Sequence, residues 1–224
     1  MDLLLAHQAL AEPVRLGLAQ ALLTRDLSPG EVAEQWGLST SLVSHHVKYL
    51  VDAGLIRRGP SEHDARKSYL SLRRDDPQVI AMVSVGTSLM ATPRRVAFVC
   101  THNSARSKLA AACWRQISRI PAIDAGTLPA DAPHPWAIAT ATARGLALDL
   151  EMHDADTTVR YDDLVIAVCD HAHEQLTSRP DRLHWSVPDP VADPVVRASF
   201  DSTCDNLQAR VGYLHRSLRP RTPS

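Results

Sequence analysis

The sequence predicts an α/β chain of two domains. A mostly helical N-terminal domain with a short β-rich piece precedes a parallel sheet with flanking helices. Three observations lead there. Residues 13–52 carry apolar side chains at helical spacing, and two short apolar runs follow at 55–58 and 68–72. Beyond residue 95, strand-like runs such as VAFVC and DLVIAVC alternate with longer helical patterns, the signature of parallel pairing. Between the two lies TSLMATPRR (87–95), with small residues, Pro93 and two arginines. The boundary is therefore expected near residue 92, with one domain over 1–91 and another over 93–220.

At 224 residues, 45% hydrophobic and 22% charged, the chain can bury two small cores and is too apolar for disorder. No apolar run approaches the roughly 20 residues of a membrane span. The start, MDLLLAHQAL, has an acid at Asp2 and no basic segment, unlike a signal peptide. The expectation is a cytoplasmic protein with no membrane partner. The formal net charge of −1 hides an asymmetry: residues 1–43 hold two basic and five acidic residues (−3), and residues 44–74 hold seven basic and three acidic (+4). A compact basic stretch suits a phosphate backbone, although on charge alone a solvated face is the preferred reading. All four cysteines (Cys100, Cys113, Cys169, Cys204) follow residue 99 with no Cys-x-x-Cys, so free thiols and no metal site are expected.

The elements follow in order. Pro13 suits the first turn of a helix whose apolar positions are Val14, Leu16, Leu18 and Leu22. Ser28-Pro29-Gly30-Glu31 reads as a capping box opening a short helix that stops at Gly37. After a tight turn, a second helix over 40–52 has an apolar stripe (Leu42, Val43, Val47, Leu50, Val51) and a polar face with Ser41, Ser44, His45, Lys48 and Tyr49. This is a helix-turn-helix, whose second helix fits a major groove with short side chains near base edges. His45 and His46 are expected to face the groove as donors rather than to bind metal. Gly54 ends the helix, and two strands around a polar loop make a hairpin wing whose arginines meet phosphates. A last helix is expected over 76–90, with Val79, Ile80 and Val83 apolar.

Taken together, ALAEPVRLGLAQALL, LSPGEVAEQWGLSTSLVSHHVKYLVDAGLIRR and the wing ending in KSYLSL resemble the ArsR-type winged-helix repressors. The resemblance implies operator DNA as partner and a homodimer paired through the stretches around 3–11 and 76–90. It implies DNA contacts from Thr40, Ser41, Ser44, His45, Lys48, Tyr49, Arg57, Arg58, Arg66 and Lys67. This half has no cysteine and 76–90 has no histidine, so the family's usual soft-metal and zinc inducer sites are not expected.

In the second domain, a buried strand ends at Cys100, five residues intervene, and Arg106-Ser107 opens an Ala-rich helix. A loop curling at a helix N-terminus aims successive N–H groups at a tetrahedral oxyanion. The oxyanion-binding residues are then Thr101, His102, Asn103, Ser104, Ala105 and Ser107, with Arg106 adding a two-pronged cation. The same field favours the Cys100 thiolate, the attacking form, and Ser107 can donate to its sulfur. Displacement also needs an acid for the leaving oxygen, and Asp189 stands between two prolines after a strand-like run.

Residues 94–218 resemble the low-molecular-weight tyrosine-phosphatase fold, and more closely the arsenate reductases built on it. The carrying segments are FVCTHNSARS, AIDAGTL, HPWAIATATARGLALDL, DDLVIAVCD and WSVPDP. The resemblance implies a four-stranded parallel sheet flanked by helices, Cys100 as nucleophile, Arg106 as oxyanion clamp and Asp189 as general acid. It also matches Cys169 to the cysteine that attacks the nucleophile in thioredoxin-coupled reductases. Those enzymes carry a further cysteine seven residues on, where this chain has Leu176. Cys113 and Cys204 fall on apolar helical stripes, with Leu109 and Ile117 and with Val196, Phe200, Leu207, Val211 and Leu214, and read as core. Val191 stands where the phosphatases place a substrate-sandwiching aromatic, which suits a small, bare oxyanion.

The resulting expectation is an arsenic-responsive repressor fused to an arsenate reductase. It needs no tightly bound cofactor. Its external thiol reductant is a thioredoxin, glutaredoxin or mycothiol system, and its substrate is arsenate or a phosphate-like oxyanion. Two alternatives stay open: a non-catalytic oxyanion or arsenical sensor that controls DNA binding, and a protein tyrosine phosphatase with a DNA-targeting module.

Overall fold

The computed structural model describes residues 2–87, 89–179 and 181–219. They gather into two compact units, Met1–Ser88 and Leu89–Ser224.

The first unit runs α1 (Leu3–Leu10), α2 (Pro13–Ala21), α3 (Pro29–Trp36), α4 (Thr40–Asp52), β1 (Ile56–Pro60), β2 (Ser68–Leu72) and α5 (Pro77–Val83). Its helix ends are chemically marked. Glu12 caps α2 through the Val14 and Arg15 N–H groups, and Pro13 fills the first turn. Ser28 and Glu31 form the capping box of α3, and Gly37 closes that helix at φ 62°. Ser39 caps α4, and Gly54 turns the chain away at φ 71°. The wing pairs antiparallel from Ile56↔Leu72 to Pro60↔Ser68. Leu27 pairs with Leu70 and ties the α2–α3 connection to it.

Three expectations change here. The stripe of α4 is narrower than its sequence pattern: Val43, Val47 and Leu50 are buried, whereas Leu42 and Val51 are exposed. His46 does not face a groove. It is buried, with Nδ1 at 3.5 Å from Glu12 Oε2, because α4 turns this position toward the N-cap of α2. The last helix does not run over 76–90 but ends at Val83, and Gly86 follows with φ 74°.

The second unit contains β3 (Val96–Cys100), α6 (Arg106–Ile117), β4 (Ala122–Gly126), α7 (Pro135–Ala143), α8 (Ala155–Thr158), β5 (Leu164–Ala167), α9 (Asp170–Gln175), β6 (Leu183–His184) and α10 (Val196–Arg216). The strands form one parallel sheet in the order β4-β3-β5-β6. All five residues of β3 are buried, as parallel strands covered on both faces must be. Arg95 joins the entrances of two strands, its Nε and Nη2 each 2.7 Å from an Asp163 carboxylate oxygen. Phe98, Trp114 and Trp185 pack at ring separations of 6.2 and 5.8 Å. Along α10, Phe200, Cys204, Leu207, Val211 and Leu214 are buried. Cys113 on α6 meets Cys204 side chain to side chain, and that contact with burial pushes the Cys113 thiol far up. Ile117, expected on the same buried face as Cys113, is exposed at the helix end. Among the described residues no helix is long and apolar enough to cross a membrane.

An ion pair lies in the interior of the first unit. Asp26 is fully buried, its Oδ1 3.2 Å from Arg74 Nη1, and Arg74 also donates to the Leu22 carbonyl. Removing one member of such a pair leaves a buried charge without its partner. Arg74→Met is expected to destabilise the chain by about 3 kcal/mol, read as a lower denaturant midpoint with unchanged slope.

Candidate active site

The residues expected to read DNA all lie on the surface. Thr40, Ser41, Ser44, His45, Lys48 and Tyr49 are exposed along α4, and Arg57, Arg58, Arg66 and Lys67 are exposed on the wing. Several of these cations hold local carboxylates: Lys48 with Asp52 at 2.6 Å, Arg57 with Asp75 at 2.7 Å and Arg66 with Asp64 at 2.9 Å. Exposed pairs of this kind contribute little and exchange readily for another anion. The Arg15 guanidinium lies 5.0 Å from the centre of the Tyr49 ring, fixing the outer edge of α4.

In the second unit, β3 delivers Cys100 to the C-terminal edge of the sheet, and residues 101–105 curl back to the first turn of α6. The curl needs one residue in the left-handed region, and Asn103 supplies it at φ 51°. Gly126, paired with Cys100 across the sheet, makes room: a Cβ there would lie 2.7 Å from the Thr101 carbonyl oxygen and 2.8 Å from Asn103 N. The segment after β4 then runs along the loop. Thr127, Leu128, Ala130 and His134 donate their N–H groups to the carbonyls of Cys100, Thr101, His102 and Ser104 at 2.8–3.1 Å. Those four bonds hold the loop to the segment after β4 and so fix its curl.

The loop opens on a cleft of about 450 Å³ lined by Cys100, His102, Ser104, Ala105, Arg106, Ala130, His134, Asp189 and Val191. Thr101, Asn103 and Ser107 are buried behind it and do not line it. Ser107 Oγ lies 3.1 Å from Cys100 Sγ, and Asn103 Nδ2 donates to Ser107 Oγ at 3.1 Å. Arg106 reaches across the cleft mouth. Its Nη1 donates to the Val187 carbonyl at 3.0 Å, and its Nη2 is 3.5 Å from Asp189 Oδ2. The two prolines and the Val191 N–H on Asp189 Oδ1 (3.2 Å) hold that carboxyl at the rim, 40% of its side chain exposed. His134, the N-cap of α7, stacks on Phe200 at 4.9 Å and sets the opposite wall.

Cys169 is not the last residue of the strand. β5 stops at Ala167, and Cys169 caps α9, its Sγ accepting from Ala172 N at 3.4 Å. Its sulfur is 3.5 Å from Thr101 Oγ1, immediately beside the loop. Burial pushes its thiol up; the Arg106 charge pulls it down, and the Cys100 charge pushes it up again. Leu176, seven residues on, packs against the core of the unit. The arrangement can bind a tetrahedral anion, present one sulfur to its centre, protonate a departing oxygen from the rim and bring a second sulfur to the first.

Sequence reasoning missed Lys108, Asp124 and Gly126. Lys108 and Asp124 are fully buried at 2.9 Å from each other. The available signal was a lysine within an otherwise small and apolar helical run and an aspartate inside the strand AIDAG.

Residues 12–67 match the MarR family model, and residues 95–223 match that of the low molecular weight phosphotyrosine protein phosphatases. A probable mercury resistance operon repressor of Streptomyces lividans is 33% identical over 94 residues, covering 42% of this chain and 71% of that protein. Among solved structures, the Erwinia amylovora tyrosine phosphatase AmsI aligns with a TM-score of 0.50 at 16% identity, over 59% of this chain and 100% of that one. An arsenate reductase of Archaeoglobus fulgidus aligns with a TM-score of 0.42 at 25% identity, over 52% and 98% of the two chains.

Gly126 gives the sharpest test of the loop geometry. Both atoms it would strike are backbone, so neither can swing aside. Gly126→Ala is expected to cost about 1–3 kcal/mol and to weaken sulfate or arsenate binding, measured by denaturant unfolding and by calorimetric titration.

Proposed function

The chain belongs to the low molecular weight phosphotyrosine protein phosphatase family through residues 95–223, and from that premise we propose that it is a DNA-binding repressor fused to a thiol-dependent arsenate reductase. The first unit is read as a winged helix of ArsR-type layout that binds an operator as a homodimer. Its α1 leaves Leu3, Leu4 and Leu5 exposed, which suits a second copy of the same helix. The second unit is read as the enzyme.

The reading rests on one observation: a second thiol, Cys169, stands beside the loop that presents Cys100. Hydrolysis of a phosphoester has no use for it, whereas a reductase that releases arsenite by forming an internal disulfide requires it. Arsenate enters the loop, where the inward N–H groups and Arg106 hold its oxygens. The Cys100 thiolate attacks arsenic, an As–O bond breaks, and Asp189 gives its proton to the oxygen, which leaves as water. The Cys169 thiolate then attacks Cys100 Sγ. The As–S electron pair returns to arsenic, which passes from arsenic(V) to arsenic(III) and departs as arsenite, leaving a Cys100–Cys169 disulfide. An external dithiol or low-molecular-weight thiol of the thioredoxin, glutaredoxin or mycothiol class reduces it, since no third thiol stands at Leu176.

Arsenate turnover with each reductant system tests the assignment. Cys100→Ser is expected to abolish all activity. Cys169→Ser is expected to stop multiple turnover of arsenate while p-nitrophenyl phosphate hydrolysis persists, because hydrolysis needs only Cys100, Arg106 and Asp189. Hydrolysis with no arsenate turnover in the wild type would assign a phosphatase instead. Neither activity, together with operator affinity that changes on adding arsenate or arsenite, would assign a sensor. Because burial raises the Cys169 thiol, its thiolate fraction keeps growing above the range of a free cysteine. The arsenite-release step is therefore expected to accelerate with rising pH, measured by single-turnover quench. For the first unit, operator binding is expected to weaken steeply with salt, and Arg58→Ala to reduce the slope of log affinity against log salt by about one.

A further inference from the structure

Behind the loop runs a hydrogen-bonded chain that the chemistry above does not use. Lys108 follows Ser107 on α6 and is fully buried. Its Nζ donates to Asp124 Oδ1 at 2.9 Å and to the Glu151 carbonyl. Asp124 is also fully buried, and its Oδ2 accepts from Arg115 at 3.0 Å. The same Oδ1 that takes the ammonium accepts from Asn103 Nδ2 at 2.9 Å. At its other end, Asn103 Oδ1 accepts the His153 N–H at 2.8 Å. The two ends of the amide are thereby told apart, so Nδ2 must face Ser107 Oγ. A hydroxyl that already accepts on its oxygen keeps its own hydrogen for Cys100 Sγ, 3.1 Å away.

Burying an ammonium costs several kcal/mol unless it is closely paired. An Ala-rich helix in a packed core could fill this position with an apolar side chain at no such cost. Asp149 and His153 also converge on Asp124, as they would around a metal ion. Here Lys108 and Arg115 already bring two cations to that carboxylate, so the group is read as an ion-pair network. Without Lys108, Asp124 would keep Arg115 as its one remaining cation among the partners named, with a side chain 31% exposed, and the Oδ1 that takes the Asn103 amide would lose the ammonium that fixes it there.

We infer that Lys108 and Asp124 are positioning residues for Cys100: the buried ion pair locks the Asn103 amide, which turns the Ser107 hydroxyl hydrogen onto the sulfur. The inference rests on the reading of Cys100 as nucleophile. It is independent of whether arsenate or a phosphoester is the substrate.

The test is a double-variant cycle on the full chain, read by iodoacetamide alkylation of the Cys100 peptide in mass spectrometry. The second readout is the ultraviolet thiolate absorbance that Cys100→Ser removes. Lys108→Met is expected to slow alkylation about tenfold and to reduce the absorbance in step, as a lost charge-assisted link in a network would. Ser107→Ala is expected to do the same, and Lys108→Met should add about twofold or less in the Ser107→Ala background. Wild-type alkylation and absorbance in Lys108→Met would overturn the inference. A full tenfold loss in the Ser107→Ala background would also overturn it, because general loosening of the core acts with or without the hydroxyl. If Lys108→Met does not fold, Asp124→Asn takes its place in the cycle with the same criteria. A wild type without any Cys100-dependent thiolate signal would overturn the nucleophile reading itself, and the inference with it.

Discussion

A ring of backbone N–H groups aimed at one point cannot hold itself open, because the groups that face inward have no partners within the ring. The support has to come from outside, through the carbonyls and side chains that face the other way. In this chain the residues after β4 bind the carbonyls of Cys100, Thr101, His102 and Ser104. The buried amide of Asn103 anchors the middle to Ser107, Asp124 and His153. The lack of a side chain at Gly126 lets the two segments approach to backbone distance. The loop is therefore a product of the β3–β4 pair and the start of α6, and its shape is set before any anion arrives. That is the preorganisation an oxyanion site needs, since donors fixed in advance cost no rearrangement when charge develops.

The same edge of the sheet explains why a second sulfur can stand so near. β3 and β5 are neighbours in parallel register, with Val99 opposite Ala167, so the residues following each strand emerge side by side. Cys100 leads into the loop, and Cys169 leads into α9, where it takes the cap position. The two sulfurs live under opposite conditions. Cys100 faces a cleft with a guanidinium and a hydroxyl at hand, while Cys169 is buried against Thr101. Burial pushes the Cys169 thiol up, against the pull of the Arg106 charge.

Much of this was legible from short stretches of sequence, because the signals were local. The capping box at Ser28 and Glu31, the left-handed glycines at 37 and 54, and a cysteine five residues before an Arg-Ser pair each fix a conformation within a few residues. What escaped depended on distant partners. His46 looked like its neighbour His45 until the fold turned it toward Glu12, 34 residues earlier. The expected helix over 76–90 had enough apolar residues to continue, yet it stops at Val83 with Gly86 turning left-handed beyond it. Lys108 drew no reading from its sequence context, and only the approach of β4 showed that its partner was a buried carboxylate. A charge in a core is invisible to periodicity, because periodicity records where apolar residues lie and not which polar ones are paired.

On the proposed reading, discrimination between arsenate and phosphate cannot come from the loop. Both are tetrahedral oxyanions of similar charge, and a ring of N–H groups with one guanidinium binds oxygens without sensing the atom at their centre. The rim adds little further selection, since Val191, His102 and His134 line the mouth and no Phe, Tyr or Trp does among the described residues. The distinction has to arise after the first covalent step. An adduct of arsenic(V) on sulfur can accept an electron pair when a second thiolate attacks, because arsenic(III) is a stable product. The phosphorus adduct has no such exit and can only wait for water. Substrate choice is then made by Cys169 rather than by the binding site. On the same reading, a chain that kept the loop but lost that sulfur would depend on an external thiol to release arsenite.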